Sequence, residues 1–158
     1  MSTGEKAILL EDFRWRKSQI KATSLLANVI YRSAAKDKGV FETILFENGF
    51  ITEGAVSNVF CCTDNKIITP PLSENILPGI TRKVILEVIQ DISLEYEESK
   101  IPIESFLEAK EIWVTNSTKG IIPIIDLDGK KIGSGKPGEK YLQVLSLIHI
   151  SEPTRLSA

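Results

Sequence analysis

The chain has 158 residues, of which 42% are hydrophobic and 25% are charged. These values are typical of one globular domain, and they exclude a fibrous repeat or a disordered chain. The formal net charge is -2, with both signs interspersed. This argues against a nucleic-acid or membrane partner, because both need a concentrated basic patch. No apolar run reaches the length that spans a bilayer.

The first predicted element is an amphipathic helix over residues 24–36. Its apolar residues recur at helical spacing, so we expect them to pack against a sheet. These residues are Leu25, Leu26, Val29, Ile30 and Ala34.

Four short runs rich in β-branched and aromatic residues follow this helix, and each predicts a strand. They cover residues 42–47, 50–53, 58–62 and 66–69. Asn48-Gly49 and Asp64-Asn65 supply turns between them. Both residues of an Asn-Gly pair tolerate the positive φ of a two-residue turn, so the first two strands are predicted to form an antiparallel hairpin.

The second half of the chain mixes helices with strands. A helix is predicted to follow Pro78-Gly79, because apolar residues line one of its faces. A shorter helix is predicted over residues 103–109, and further strands over residues 111–115 and 121–126. This mixture predicts an α/β fold with a mixed sheet and flanking helices, rather than a doubly wound parallel sheet.

The two cysteines of the chain, Cys61 and Cys62, are adjacent in a predicted strand. Neighbouring strand residues point to opposite faces, so their sulfurs cannot bond to each other without strain. Free thiols indicate a reducing compartment. The first residues also lack the basic and apolar regions of a secretory signal. We therefore expect a cytoplasmic protein.

The last segment of the chain fits no pattern that precedes it. Residues 145–155 read LSLIHISEPTR, which matches residue for residue what one reading frame of a commonly used sequencing-library transposon adapter encodes. We therefore expect residues 1–144 to form the domain and residues 145–158 to be a non-native tail; an ordinary C-terminal extension is the alternative. His149, the single histidine, lies in this tail and is excluded as a catalytic residue.

A lysine is the best remaining candidate for chemistry. The sequence contains no histidine-based triad and no spacing of ligands that is typical of a metal site, so we expect no metal. Lysine forms Schiff bases with carbonyl compounds once its ammonium group is deprotonated. Lys21 lies in a short extended segment, QIKAT, just before the first apolar helix. Composition alone would favour a solvated lysine at a helix start.

Four motifs together give the chain a family resemblance. They are RWRKSQIKATSLLANV, FETILFENGFITEGAVSNVF, ILPGITR and EIWVTNSTKGIIPIIDLDGKKIGSGKPG. In this order and spacing they resemble the fold-type IV, or class IV, pyridoxal-phosphate aminotransferases, over roughly residues 7–144. The TEGAVSNVF segment is closer to the D-amino-acid branch than to the branched-chain branch. The resemblance implies the larger C-terminal domain of that fold, with a partly barrel-like sheet.

The resemblance implies roles for four residues around the cofactor ring. Lys21 matches the lysine that holds pyridoxal 5'-phosphate covalently and moves the substrate's α-proton. Glu53 matches the carboxylate that pairs with the protonated pyridine nitrogen. Ser57 follows Glu53 in the same motif and is expected to allow close approach of the cofactor. Arg14 is expected to help position the lysine strand or the cofactor site.

The resemblance also implies a phosphate site built from two segments. Ile80 and Thr81 begin the helix of the ILPGITR motif, and a helix N-terminus offers backbone N–H groups to an anion. Ser117 and Thr118 match the family's second phosphate-binding loop and would add hydroxyl donors.

The activity implied is transamination between a D-amino acid, such as D-alanine, and a 2-oxo acid. A branched-chain aminotransferase and an aminodeoxychorismate lyase of the same fold remain open, and so does a non-catalytic fragment that keeps only the fold. In the family a smaller N-terminal domain precedes the matched segment and contributes to substrate binding, and the full-length enzyme is expected to be a homodimer.

Overall fold

The computed structural model describes residues 3–14, 26–63, 66–73 and 76–155, with side chains as far as residue 148. Lys21, the first two residues of the predicted first helix and the predicted Asp64-Asn65 turn lie outside the described residues. The described part of the chain contains nine strands in one sheet and four helices.

The strands are short and lie close to the predicted segments. They are β1 (Glu5–Glu11), β2 (Glu42–Glu47), β3 (Phe50–Gly54), β4 (Asn58–Cys62), β5 (Ile67–Thr69), β6 (Tyr96–Glu98), β7 (Glu111–Asn116), β8 (Gly120–Leu127) and β9 (Lys130–Lys131). The predicted hairpin is confirmed, because β2 and β3 pair antiparallel and both Asn48 and Gly49 have positive φ. The strands β1, β6 and β9 were not predicted.

The helices are α1 (Leu26–Asp37), α2 (Ile80–Asp91), α3 (Ile103–Leu107) and α4 (Glu139–Arg155). None of the described helices is long and apolar enough to cross a membrane. The start of α2 directly after Pro78-Gly79 agrees with the prediction. The predicted third helix ends two residues early, at Leu107.

The sheet is mixed, as predicted. Its order is β3-β2-β1-β8-β7-β4-β5-β6, with β9 paired to β8. β1 runs parallel to both β2 and β8, β5 runs parallel to β6, and the other pairs are antiparallel. The sheet curls into a half-barrel, so that the end of edge strand β3 meets the start of β4, where Glu53 and Asn58 are hydrogen-bonded. The partly barrel-like fold is confirmed.

Two cores lie on opposite faces of the sheet. One contains Cys61 and Ile112 and is closed by Phe106 of α3. The other contains Cys62 and Trp113 and is covered by α2 and α4. The two cysteines therefore point to opposite faces and are free, as expected.

The predicted buried face of α1 is wrong. Leu26, Val29 and Ile30 are 71%, 56% and 47% exposed, whereas Tyr31 and Ala35 are buried. The helix packs on β2 through the other side, where the Thr43 hydroxyl donates to the carbonyl of Tyr31 at 2.7 Å. The apolar periodicity identified a helix, but nothing among the described residues covers its most apolar stripe.

Helix α4 continues across the predicted boundary between residues 144 and 145. Val144 and Ile148 are both buried in the core beside α2, and Leu145 packs against the same core. The segment therefore takes part in the fold described here. A helix that crosses the boundary does not test the origin of residues 145–158, and their non-native origin stays a prediction.

Candidate active site

Glu53 lies where the curled sheet brings the end of β3 to the start of β4. The residue is 4% exposed. Its Oε2 atom accepts hydrogen bonds from the backbone N–H of Leu77 at 3.1 Å and from Asn58 Nδ2 at 3.3 Å. Its Oε1 atom accepts a hydrogen bond from Arg14 Nη1 at 2.7 Å. Three separate segments of the chain therefore hold one carboxylate.

Arg14 joins Glu53 to a second buried carboxylate, Asp12. The Nε and Nη2 atoms of Arg14 donate to the two oxygens of Asp12 at 3.0 and 2.9 Å, the two-bond geometry that matches a guanidinium to a carboxylate. Asp12 also accepts from the Thr52 hydroxyl at 3.0 Å. All three charged side chains are at most 5% exposed. The structure thus brings predicted site residues Arg14 and Glu53 into direct contact.

Burial dominates the titration of Glu53. Removal from water raises its pKa from 4.5 to about 7, although the charge of Arg14 opposes the shift. Burial would also raise the pKa of Asp12, but its hydrogen bonds and charge interaction with Arg14 outweigh burial and hold that pKa below its usual value. One guanidinium therefore stabilises the ionised form of Asp12 more completely than that of Glu53.

Glu53 retains the capacity to bind one more donor. An ionised carboxylate offers about four lone-pair positions, and the described residues fill three of them. Since Oε2 already accepts two hydrogen bonds, the remaining position belongs to Oε1. Among the described residues of this cluster, two carboxylates face one guanidinium. A cationic N–H donor would balance the charge and lower the pKa of Glu53.

The N-terminus of α2 lies beside this cluster. Asn58, which contacts Glu53, also donates from Nδ2 to the carbonyl of Leu77 at 2.8 Å. Gly79 is the N-cap residue of α2, and a Cβ there would overlap the amide oxygen of Asn58. No side chain in the described part of the chain caps the helix, so its first N–H groups are available to an anion.

The two predicted phosphate-binding residues of α2 differ in exposure. Ile80 is 72% exposed, whereas Thr81 is 6% exposed. As the first two residues of the helix, both carry backbone N–H groups that point away from the helix body.

The turn between β7 and β8 carries the other predicted phosphate-binding residues. Ser117 and Thr118 are exposed, and the Asn116 side chain accepts hydrogen bonds from the N–H groups of Thr118 and Lys119 at 3.1 and 2.7 Å. These bonds give the turn a defined shape. Because the N–H of Thr118 already donates to Asn116, the hydroxyl of Thr118 is the donor that remains for a ligand.

Strand register places that turn near Asn58. Asn58 pairs with Thr115, and two residues further along the strands Phe60 pairs with Trp113. Phe60 and Trp113 lie in the core that α2 covers. Side chains two residues apart in a strand share a face, so Asn58 and Thr115 also lie on the face covered by α2. The Thr115 hydroxyl is buried without a hydrogen-bond partner among the described residues. An unsatisfied buried donor at this position fits a site built for a polar ligand.

Ser57 makes its contact with a residue that the sequence analysis missed. The Ser57 hydroxyl donates to Oε2 of Glu42 at 2.8 Å, and Glu42 is fully buried at the start of β2. A hydroxyl has one hydrogen, so Ser57 could only accept a further hydrogen bond while this one persists. The signal in the sequence was a glutamate that begins a strongly apolar strand, ETILFE, where a charged residue is unusual unless it has partners.

The segment that leads towards Lys21 is anchored by α1. The hydroxyl of Tyr31 donates to the carbonyl of Glu11 at 2.5 Å and accepts from the N–H of Phe13 at 2.7 Å. The rings of Phe13 and Tyr31 pack with centroids 4.6 Å apart. Lys21 itself lies outside the described residues.

Two other features lie apart from this cluster. An open depression of about 550 Å³ is lined by residues 107–111 together with Gly133, Ser134, Gly138 and Glu139, and contains none of the predicted site residues. Within the described ranges, no group of three histidine, cysteine or acidic residues could hold a metal ion.

Comparison with known proteins identifies the family. Residues 6–127 match the family model of the class IV amino-transferases. The D-alanine aminotransferase of Bacillus licheniformis is 40% identical over 135 residues, which cover 85% of this chain and 48% of that protein. The chain therefore belongs to the class IV aminotransferases, and it spans about half the length of the curated relatives that it matches.

Solved structures agree with the fold. The branched-chain amino acid aminotransferase of Escherichia coli superposes with a TM-score of 0.82 at 26% identity, over 93% of this chain and 51% of that one. A branched-chain amino acid aminotransferase from T.th., solved with pyridoxamine 5'-phosphate, superposes with a TM-score of 0.86 at 22% identity, over 96% of this chain and 52% of that one. Pyridoxal 5'-phosphate is the cofactor of this family.

The described residues fit such a cofactor. Glu53 offers a buried carboxylate with one acceptor position still open, and the N-terminus of α2 offers N–H groups for an anion beside the unsatisfied Thr115 hydroxyl. A pyridinium nitrogen and a phosphate are the two groups that these features would bind.

Proposed function

We propose that this chain is the cofactor-binding part of an aminotransferase that exchanges the amino group between a D-amino acid, such as D-alanine, and a 2-oxo acid. The observation that carries the proposal is the buried contact between Glu53 and Arg14, with one acceptor position left on Glu53. Membership of the class IV family supports the reaction type, and the 40% identity to a D-alanine aminotransferase supports the substrate class.

Glu53 would hold a proton on the pyridine nitrogen of the cofactor. When bound, pyridoxal 5'-phosphate supplies a ring that withdraws electrons from the substrate's α-carbon. A carboxylate opposite the ring nitrogen keeps that nitrogen protonated and so maintains the withdrawal. Arg14 holds the Glu53 carboxylate in place from its other side, and Asp12 in turn fixes Arg14.

Two segments would bind the phosphate. Ile80 and Thr81 would donate backbone N–H groups from the first turn of α2, where the helix dipole also favours an anion. Ser117 and Thr118 would donate hydroxyl groups from the turn between β7 and β8. The buried position of Thr81 and the register that joins Thr115 to Asn58 support this arrangement.

Lys21 would hold the cofactor covalently through its amine and then move the α-proton of the substrate as a general base and acid. Support for this role comes from its motif, IKATSLL, and from the family match that includes it. Lys21 follows Arg14, a residue of the Glu53 cluster, by seven residues in the sequence. Once deprotonated, an amine can accept the α-proton that a lysine ammonium cannot.

The proposed function also implies the substrates, the oligomeric state and the cellular location. The partners would be an amino acid and a 2-oxo acid, and the full-length enzyme would be a homodimer. Two buried free cysteines support a reducing, cytoplasmic location.

The test is borohydride reduction of the purified chain mixed with pyridoxal 5'-phosphate, followed by peptide mass spectrometry. We expect a reduced cofactor adduct on Lys21 and its loss in Lys21→Ala. Lys17→Ala is the matched control, because it removes a lysine from the same segment. An adduct spread over surface lysines, unchanged by Lys21→Ala, would contradict the assignment.

The substrate class is tested by activity with paired amino donors. D-alanine with 2-oxoglutarate should give pyruvate, and L-leucine should not replace D-alanine. Faster reaction with L-leucine would favour a branched-chain aminotransferase. Pyruvate released from aminodeoxychorismate without any amino acceptor would favour a lyase. An adduct on Lys21 without turnover would identify a fragment that binds cofactor but needs the remaining half of the enzyme.

A further inference from the structure

A second buried carboxylate, Glu42, lies behind the turn that follows Glu53. Glu42 is 0% exposed, and no cation lies within salt-bridge distance of it among the described residues. Three donors converge on it instead. Its Oε1 atom accepts from the N–H of Thr43 at 2.8 Å, and its Oε2 atom accepts from the N–H of Val56 at 3.3 Å and the hydroxyl of Ser57 at 2.8 Å.

These contacts fasten the turn over residues 54–57 to strand β2. The turn is closed by a hydrogen bond from the N–H of Gly54 to the carbonyl of Ser57 at 2.8 Å. The N–H of Ala55 donates to the carbonyl of Thr43 at 2.9 Å. A Cβ at Gly54 would overlap the Ser57 hydroxyl. The turn is therefore packed against the Glu42 carboxylate with no room for a larger residue at its first position.

The turn controls the geometry of the Glu53 cluster. Glu53 immediately precedes it and Asn58 immediately follows it, and their side chains bond to each other at 3.3 Å. The closure of the turn therefore sets the distance between Glu53 and Asn58. Asn58 also binds the segment before α2, so the same turn links Glu53 to the N-terminus of that helix.

We propose that Glu42 is a positioning residue of the active site, which fixes the turn over residues 54–57 and thereby the orientation of the Glu53 carboxylate towards the cofactor ring. The role rests on the proposed function of Glu53. Glu42 acts through the turn and does not itself touch the cofactor.

The chemistry of the three donors explains why a glutamate occupies this position. An ionised carboxylate only accepts hydrogen bonds, so it satisfies all three donors at once. Glutamine has the same shape but carries an NH₂ group. In Glu42→Gln this group must face the N–H of either Thr43 or Val56, and two donors then oppose each other. The substitution changes one hydrogen-bonding pattern without leaving a cavity.

The experiment compares Glu42→Gln with Glu111→Gln in this same chain. Glu111 is a matched control because it is also a buried glutamate that accepts three hydrogen bonds, from Trp113 Nε1 and the N–H groups of Lys140 and Tyr141. It lies at the end of β7 remote from Thr115. The dissociation constant for pyridoxal 5'-phosphate and the visible circular dichroism at saturating cofactor are measured for both.

We expect Glu42→Gln to weaken cofactor binding about tenfold, the effect of one lost hydrogen bond to a charged group, and to change the visible circular dichroism. Glu111→Gln should lower stability but leave both cofactor measurements as in the wild type. Wild-type binding and dichroism in Glu42→Gln would overturn the proposal, as would an equal change in Glu111→Gln. If Glu42→Gln does not fold, Ser57→Ala replaces it, with a smaller change in the same direction expected.

Two measurements without cofactor separate this proposal from the proposed function. Amide hydrogen exchange at Val56 and the titration of the Glu53 carboxyl are followed by NMR in the cofactor-free chain. Glu42→Gln should speed the exchange at Val56 and move the Glu53 midpoint away from about 7. If both are unchanged, the positioning role is wrong even when the wild type binds cofactor. If both change but the wild type binds no cofactor, the proposed function fails and the role of Glu42 in the turn stands.

Discussion

Helices α1 and α2 have the same length, 12 residues, and both carry an apolar stripe, yet α2 buries its stripe and α1 exposes it. On α2 the stripe faces the sheet, and Ile85 and Ile89 are completely buried. On α1 the corresponding residues Leu26 and Ile30 face outwards, and the helix is held by Tyr31 and Ala35 instead. The two helices pack on different strands of the same sheet, α1 on β2 and α2 on β7.

An amphipathic pattern identifies the apolar face of a helix, which is stabilised by burial. The pattern does not specify which part of the protein covers that face. The chain spans about half the length of its relatives, and α1 lies beside the segment that leads to the proposed cofactor lysine. Nothing among the described residues covers the outward stripe of α1.

The largest expected effect comes from the same substitution on the two helices. Ile85→Ala leaves a cavity in a packed core and should lower the free energy of unfolding by about 2 to 5 kcal/mol. Ile30→Ala removes atoms that are already half exposed and should cost less than about 1 kcal/mol. Denaturant unfolding of both variants measures the difference. Equal costs would mean that the outward face of α1 is packed in solution.

The next effect concerns the buried charge at the site. Because the pKa of Glu53 is about 7 in the folded chain and 4.5 in the reference state, the folded chain binds this proton more tightly. The free energy of unfolding should therefore fall as the pH rises from about 4.5 to about 7, by about 3 kcal/mol.

Glu53→Gln should remove most of that fall, because a glutamine has no proton to lose. Glu42, whose pKa is also raised by burial, would leave a smaller slope of the same sign. Denaturant unfolding at pH 5 and pH 7.5 measures both chains. A wild type that is equally stable at the two pH values would show that Glu53 titrates normally.

A smaller effect is expected where β7 meets the first turn of α4. Glu111 accepts hydrogen bonds from the N–H groups of Lys140 and Tyr141 in the first turn of α4, and so caps that helix from strand β7. Glu111→Gln should cost about 1 kcal/mol, as the loss of a helix cap does. Thermal unfolding followed by circular dichroism checks this, with the exposed Glu104→Gln as the control. No loss relative to Glu104→Gln would mean that the cap does not stabilise α4.

The smallest effect on stability, and the sharpest on association, is expected from α1. The double variant Leu26→Gln and Ile30→Gln should change stability by no more than about 0.5 kcal/mol. It should, however, reduce self-association, because it removes exposed apolar surface. Sedimentation velocity measures the shift, with Ser33→Asn and Lys36→Gln on the same helix as the polar control. A wild type that sediments as a clean monomer would contradict the expectation.

Much of the fold could be predicted from local pattern. Strands β2 and β4 were predicted at their observed bounds, and the β2–β3 turn followed from Asn48-Gly49, because turn chemistry is local. Strand β1 was missed because only Ala7 is fully buried in it. It is a strand because β2 and β8 supply hydrogen-bond partners on both sides, and no local pattern contains that information.

Some residues of the site were likewise predicted from the sequence, and others were found only in the structure. Arg14, Glu53 and Thr81 were predicted through motif resemblance, and the roles assigned to them and to Lys21 stay predictions. Glu42 and Asp12 were not predicted, although Glu42 begins the strongly apolar strand ETILFE. Each becomes part of the site only through side-chain contacts: Glu42 with Val56 and Ser57, 14 and 15 residues further along the chain, and Asp12 with Thr52, 40 residues away.

The sequence by itself determined most of the elements, the family resemblance and the residue types available for chemistry, because helical periodicity, turn propensity and motif spacing are properties of neighbouring residues. Only the tertiary structure decided which face of α1 is buried, which partners hold Glu53 and why its pKa is raised. Burial and charge pairing depend on segments that are distant in the chain and meet only when the sheet curls.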